Sequence, residues 1–366
     1  YGFMAVRDAW TDGGALDPAT ITLGRVKWRL GQDDYAGILY SGREAGTRQN
    51  DVLALDLSTK WKSHHFSAKA MASATTNDQD TAPDLALTAS WGSYTRSLST
   101  FMVFEHVGEQ FQMDTAYLQR TGIQRVMGYV APSFYPAKLS WLKRLNLMLW
   151  GYRIHDLNTR ADDSLYFLAM RAYFPRQANL RVDLRRFSEF WGGRQLRGTY
   201  LYAGGQVQLS NALFFFLSME AGQKILYDAD NPLAGPGLSL QAVSTIQPLP
   251  RLAFELSGIY EQLKHPDSGQ KLYDVSLFRL KGTYQFTRHL YLRGIVQYDS
   301  SQKQVVSDIL ASLTLIPETV LHIGYGAVRE RQEDPLANRL DGLRSSTVWR
   351  SIKRSFFFKA GYRFRF

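Results

Sequence analysis

Along most of the chain, hydrophobic and polar residues alternate one by one. Leu53, Leu55 and Leu57 alternate with Ala54, Asp56 and Ser58. Leu180, Val182 and Leu184 alternate with Arg181, Asp183 and Arg185. Leu201, Ala203, Val207 and Leu209 share one parity, and Tyr200, Tyr202, Gln206 and Gln208 the other. Leu213, Phe215, Leu217, Met219 and Ala221 oppose Ser218, Glu220 and Lys224, and Phe278, Leu280, Tyr284 and Phe286 oppose Arg279, Lys281, Thr283 and Gln285. Side chains of a strand point to opposite faces with a period of two, so each stretch has one apolar and one polar face. The stretches run for roughly 9 to 15 residues between turn residues, long for soluble strands and matched to the ~10 tilted residues that cross a hydrocarbon core.

The connections between these stretches alternate between two kinds. The longer set is Thr11–Ala19, Gly42–Asn50, Thr75–Asp84, Gln110–Gly122, Asp156–Asp163, Trp191–Gln195, Asp228–Gly235, His265–Gln270, Ser300–Gln304 and 329–350. The shorter set is Gly31–Asp34, Lys62–His64, Arg96–Ser99, Tyr135–Lys138, Arg176–Ala178, Ser210-Asn211, Pro248–Pro250, Thr287-Arg288 and Pro317-Glu318. Short turns on one side and long loops on the other mark an outer-membrane barrel, and a soluble sandwich has no reason to keep that parity. The pattern predicts an all-β, transmembrane, antiparallel up-and-down barrel of about twenty strands, with short periplasmic turns and long extracellular loops. It is expected to be one barrel domain over residues 1–366, with both chain ends on the periplasmic side. Tyr1 is not a Met and no apolar leader follows it, so the numbering is expected to begin after a removed signal peptide or inside a longer precursor.

Composition agrees without deciding. Hydrophobic residues make up 45% of the chain, and Tyr and Phe number 20 and 21. Mean hydropathy is nonetheless slightly negative, as expected where lipid-facing and water-facing residues cancel. The absence of cysteine excludes disulfides, thiolate metal sites and covalent c-type haem attachment by this chain. Trp28, Trp61, Trp91 and Trp141 fall near the short-turn ends, where an interfacial aromatic girdle would sit in outer-membrane lipid. The last stretch places Phe356, Phe358, Ala360, Tyr362, Phe364 and Phe366 on one parity and Lys359, Arg363 and Arg365 on the other. A terminal aromatic preceded by alternating apolar residues looks like the signal read by the barrel-assembly machinery. Phe356, Phe358, Tyr362, Phe364 and Phe366 are its expected carriers.

Several segments carry a family likeness. They are Leu292-Arg293-Gly294-Ile295-Val296-Gln297-Tyr298-Asp299, Ile309–Pro317, Leu321-His322-Ile323-Gly324-Tyr325-Gly326, Phe356-Phe357-Phe358-Lys359-Ala360-Gly361-Tyr362 and, near the start, Asn50-Asp51-Val52-Leu53-Ala54-Leu55-Asp56. In these the chain resembles an uncharacterised family of outer-membrane barrels whose longer members carry an N-terminal carbohydrate-binding-type domain. The resemblance implies the barrel and names no cargo.

The net charge of +10 would point a soluble protein toward nucleic acid, but alternation spreads the charge around an inner wall. Its basic members are expected to be Arg25, Lys27, Arg29, Lys60, Lys69, Arg144, Arg171, Arg181, Arg185, Arg279, Lys281, Arg293, Lys359, Arg363 and Arg365. The acidic set is Asp56, Asp183, Glu220, Glu255, Glu261, Asp299 and Asp308. A wet lumen needs charge whatever it carries, and opposite signs pair across strands. Beyond that, a net-positive wall favours anions, and the pairs Arg25/Arg29 and Arg181/Arg185 have the fork geometry for carboxylate or phosphate.

Barrels of 16 to 18 strands enclose a channel and wider ones are usually plugged. With no spare plug in these residues, either the loops 110–122 and 329–350 fold inward, or something else fills the lumen, a separate subunit or a periplasmic domain upstream of Tyr1. Two functions follow. One is a wide, polar, anion-preferring pore for solutes. The other is a sleeve for a partner protein, such as a multihaem cytochrome or a secretion or assembly component. A porin should show inward-folded loops and a ladder of charges at a constriction; a sleeve should show a smoother lumen. Catalysis is not expected. Of the seven His, His64, His65 and His289 lie at short turns, and His322 has lumen parity without a triad. No cofactor motif is present. The acidic loops Asn77, Asp78, Asp80, Asp84 and Asp228, Asp230, Asn231 offer hard oxygens for calcium, though such loops are usually only solvated.

Overall fold

The computed structural model describes residues 1–12, 15–78, 80–316, 319–333 and 347–362, and leaves aside the side chains of residues 8–12, 15–17 and 333. Among these residues the chain is all β, with twenty strands in one antiparallel up-and-down sheet. This is the outer-membrane β-barrel fold that the alternation predicts. No helix of the described residues is long and apolar enough to cross a membrane.

The chain forms two compact units. The first comprises Tyr1–Tyr135, Leu145–Met170 and Leu184–Arg197. It holds β1 (Gly2–Asp12), β2 (Ala15–Arg29), β3 (Tyr35–Ala45), β4 (Arg48–Trp61), β5 (His64–Asn77), β6 (Asp80–Tyr94), β7 (Leu98–Val107), β8 (Ile123–Phe134) and most of β9 (Arg144–Asp156), each paired antiparallel to the next. It also holds most of β10 (Asp162–Tyr173) and the later part of β11 (Asn179–Trp191). The second unit comprises Pro136–Arg144, Arg171–Asp183 and Gly198–Phe366. It holds most of β12 (Arg194–Ser210), then β13 (Leu213–Leu226), β14 (Leu233–Leu249), β15 (Leu252–Lys264), β16 (Lys271–Gln285), β17 (Leu290–Asp299), β18 (Gln304–Ile316), β19 (Thr319–Glu333) and β20 (Thr347–Gly361), again paired in succession.

Exposure separates the two faces of the sheet. On β4, Leu53, Leu55 and Leu57 are 51%, 53% and 45% exposed, whereas Val52 and Ala54, of the other parity, are 1% and 3%. A row of bare leucines is a lipid-facing row, and the opposite face is the inner one. In the second unit Phe215, Leu217, Phe278, Leu280 and Ile309 mark the outer face in the same way. Outward aromatics gather at the short-turn end of the first unit. His64 is stacked between Trp61 and Trp91, 5.9 Å from each. Trp28 shares that outer face; in the second unit Trp141, in the connection before β9, stacks on Phe174.

The connections differ from expectation in a consistent way. The segments Gly42–Asn50 and Thr75–Asp84 are mostly strand: β3 and β4 are joined by Gly46-Thr47 alone, and β5 and β6 by residues 78–79. Thr11–Ala19 likewise belongs largely to β1 and β2, and Trp191–Gln195 reduces to Gly192-Gly193, both at positive φ, where only glycine is unstrained. Polar residues on both faces report water on both sides, not the end of a strand, because the hydrogen-bond ladder does not depend on side-chain polarity. The short connection Tyr135–Lys138 is instead longer, running from 135 to 143. Pro317-Glu318 and 334–346 lie outside the described residues.

Candidate functional site

The connection 108–122, between β7 and β8, does not leave the sheet. It lies back along the inner face of the first unit. Gly108 starts it, with N–H bonded to Leu85 O at 2.9 Å and room for no side chain against the Asp84 carboxylate. Gly122 closes it, bonding Gly108 O at 2.9 Å with φ +65, and a Cβ there would strike Asn158. Between these ends, Phe111 is wholly buried against Val52, Ala86, Val107 and Ile123, with Met113 and Leu118 beside it.

Polar contacts fix the rest. Asn50, 1% exposed, donates to Thr75 Oγ1 at 2.9 Å and to Gln112 O at 3.2 Å, and its Oδ1 accepts the Asp114 N–H at 2.9 Å. Arg48 holds the Asp114 carboxylate with two nitrogens, each at 2.9 Å, and reaches Gln112 Oε1 at 2.8 Å. Arg43 adds a second cation 3.5 Å from Asp114. The Ser41 and Thr115 hydroxyls touch. At the far end Arg120 bridges Asp156 at 2.7 Å and Asp163 at 2.6 Å. Charge-assisted and two-pronged bonds of this kind are the stronger ones, and here they pin the loop at both ends. Of the two loops that could fold inward, 110–122 packs against the inner face; 329–350 is described only at its two ends, where it is strand.

Closer to the short turns, the same inner face carries a register row of alternating sign. Lys27, Gly37, Asp56, Lys69, Thr88, Glu105 and Arg125 stand opposite one another from β2 to β8. Arg125 pairs with Glu105 at 2.6 Å, and Arg25 grips Asp56 with bonds of 3.0 and 2.8 Å from Nη2. Lys27 sits 3.6 Å above the Tyr35 ring, Lys60 reaches Asp33 at 3.3 Å, and Arg29 is spent on the carbonyls of Gly31 and Gln32. Arg185 lies over Phe167. In the second unit Arg181 grips the fully buried Asp183 at 2.6–2.7 Å, and Arg144 covers the Tyr173 ring at 3.9 Å. Arg171 keeps a buried Nε without a partner. Lys281 pairs with Glu255, and Lys224 bridges Glu220 and Glu261.

The forks expected to receive ligand carboxylates, Arg25 and Arg181, thus already hold carboxylates of the chain itself. Arg279, Arg293 and Lys359 share the inner parity of Glu255 and Asp308, and have no ion pair among the described residues. Arg363, Arg365, Phe364 and Phe366 lie outside the described residues. Phe356 and Phe358 point outward at 70% and 60% exposure, and Tyr362 is exposed. His322 stands opposite Ser312 and Lys359, with Nδ1 buried and unbonded. Asp228 turns its Oδ1 to the N–H groups of Asp230 and Asn231, which holds its carboxyl below the usual range. The described residues contain no group of three His, Asp or Glu able to hold a metal.

Sequence reasoning missed Glu105, Arg125, Arg43 and Arg48. The alternation of Glu105 with the outward Met102 and Phe104, and of Arg125 with Val126 and Val130, carried the signal for the first two.

No family model and no curated protein matches the chain. Solved structures do. The ferric enterobactin receptor of Pseudomonas aeruginosa aligns over 97% of this chain and 71% of its own, at 8% identity and a TM-score of 0.53. The siderophore receptor PirA of Acinetobacter baumannii aligns over 99% and 73%, at 8% identity and a TM-score of 0.53. This chain therefore shares the fold of integral outer-membrane barrels.

Proposed function

We propose that this protein is an outer-membrane pore for polar solutes, narrowed from within by the segment 108–122. The pinned inward loop carries the reading. A sleeve built to receive a folded partner has no use for a loop laid across its inner face, whereas a diffusion pore needs one to limit what passes. The charged row beneath the loop gives the polar lining such a path requires. A mild anion preference accompanies it, resting on inner cations that pair with no carboxylate among the described residues, Arg279, Arg293 and Lys359 among them. The neighbours' roles in siderophore recognition belong to those proteins; at this identity only their fold bears on the chain.

The test is conductance. The purified barrel in a planar bilayer is expected to show a steady open level, and Arg48→Ala combined with Phe111→Ala is expected to raise it. A barrel that never conducts, and that leaves native membranes with a stoichiometric partner resistant to salt, would make the sleeve correct.

A further inference from the structure

The inner face of the first unit breaks the rule that a transmembrane barrel is polar inside. Nearer the short turns than the charged row, the wall becomes aromatic. Phe101, Tyr129 and Trp150 are direct register partners across β7, β8 and β9. The Phe101 and Tyr129 rings lie 5.9 Å apart. Trp150 stacks on Phe167 at 4.9 Å and meets Tyr152 edge-on at 5.6 Å. Tyr94 joins the band through the Tyr129 hydroxyl, and Arg185 lies over the Phe167 ring at 5.4 Å. The outward Leu147 and Leu149 precede Trp150 with the opposite parity, which places its ring on the inner side. None of these six rings is buried.

Half-exposed rings on a wet wall are costly. Each leaves apolar surface in water that a serine would not, as the neighbouring row shows: there Ser58, Ser67 and Ser90 stand side by side, with Ser67 and Ser90 hydrogen-bonded at 2.6 Å. A flat apolar solute would recover that cost by covering the rings. Ring faces stack on flat partners, while the Tyr hydroxyls and Arg185 offer polar groups at the rim.

We infer that the aromatic band of β7–β10 is a solute-binding track for molecules with a flat apolar ring face edged by hydroxyl or anionic groups. The inference rests on the pore reading and names its substrate class. Pyranose sugars and aromatic acids both present such a face, and the experiment tells them apart.

Maltotriose, salicylate and the acyclic polyol mannitol are titrated into the detergent-purified full chain by calorimetry. The same solutes are then added to single barrels in a bilayer. One ring-bearing solute is expected to bind at least about tenfold more tightly than mannitol and to interrupt the current, and the one that does names the source. Trp150→Ala is expected to weaken that binding about tenfold, the scale of one lost aromatic pairing. Tyr129→Leu keeps apolar bulk but loses the flat face; it is expected to weaken binding too, and serves if the Trp150 variant fails to fold. Ring solutes binding no better than mannitol, or binding unchanged in a folded variant, would overturn the track. Calorimetry needs no conduction, so a silent barrel that still binds would remove the pore and keep the track.

Discussion

Asn50 shows how much one side chain can settle. Its amide satisfies a strand neighbour, Thr75, and both a carbonyl and an N–H of the inward loop, Gln112 O and Asp114 N. Asn50→Leu keeps the volume and removes all three bonds. A buried donor or acceptor left alone costs about 1–3 kcal/mol, so the loop would lose an anchor without the strand losing its place. The loop carries Arg120, a trypsin site now held by Asp156 and Asp163. Cleavage after Arg120 in detergent is expected to be about tenfold faster in Asn50→Leu, since proteolysis follows the population of the locally open form. Equal rates in the two proteins would mean that Asn50 does not hold the loop.

At the scale of the element, the loop acts as a fixed piece of the inner wall. Phe111 is its apolar key; replacing a buried Phe by Ala typically costs about 3–5 kcal/mol. The absence of cysteine allows a direct test of rigidity. The Ser41 and Thr115 hydroxyls touch, so the paired substitutions Ser41→Cys and Thr115→Cys bring two sulfurs within bonding reach. The crosslink is expected to form readily and to leave conductance unchanged between oxidised and reduced protein. A conductance that rises on reduction would show a loop that swings, and hence a gate.

The same loop shows what a sequence can and cannot tell. Alternation placed Leu53 outside and Asp56 inside because the strand period is two and one face meets lipid. It could not place Phe111, since a loop has no period. The available hint was only an apolar residue within a polar segment, Gln110-Phe111-Gln112-Met113. Arg43, Arg48 and Asn50 read as exposed loop because nothing in their order shows that β3 and β4 continue past the membrane. The receiving half of the site was hidden in a stretch that looked like the end of a strand.

For the whole molecule, the formal charge of +10 does not say where a passing ion would feel it. The field at a wall is set by unpaired charge, because a pair at hydrogen-bond distance presents only a dipole to anything beyond a few ångströms. Arg25, Lys60, Arg125, Arg181, Lys224 and Lys281 each stand against a carboxylate. Removing one of these would release its acidic partner and move selectivity toward cations by uncovering a negative charge. Arg279 and Arg293 have no such partner among the described residues, so Arg279→Ser with Arg293→Ser simply deletes two positive charges. The reversal potential in a tenfold salt gradient separates these cases. The wild type is expected to favour anions modestly, and the double variant to approach neutrality at low salt. Near 1 M, where the screening length falls to about 3 Å, the difference should vanish. If the double variant keeps the wild-type reversal potential at low salt, the preference does not arise on β16 and β17, and Lys359 on β20 is the next carrier to remove.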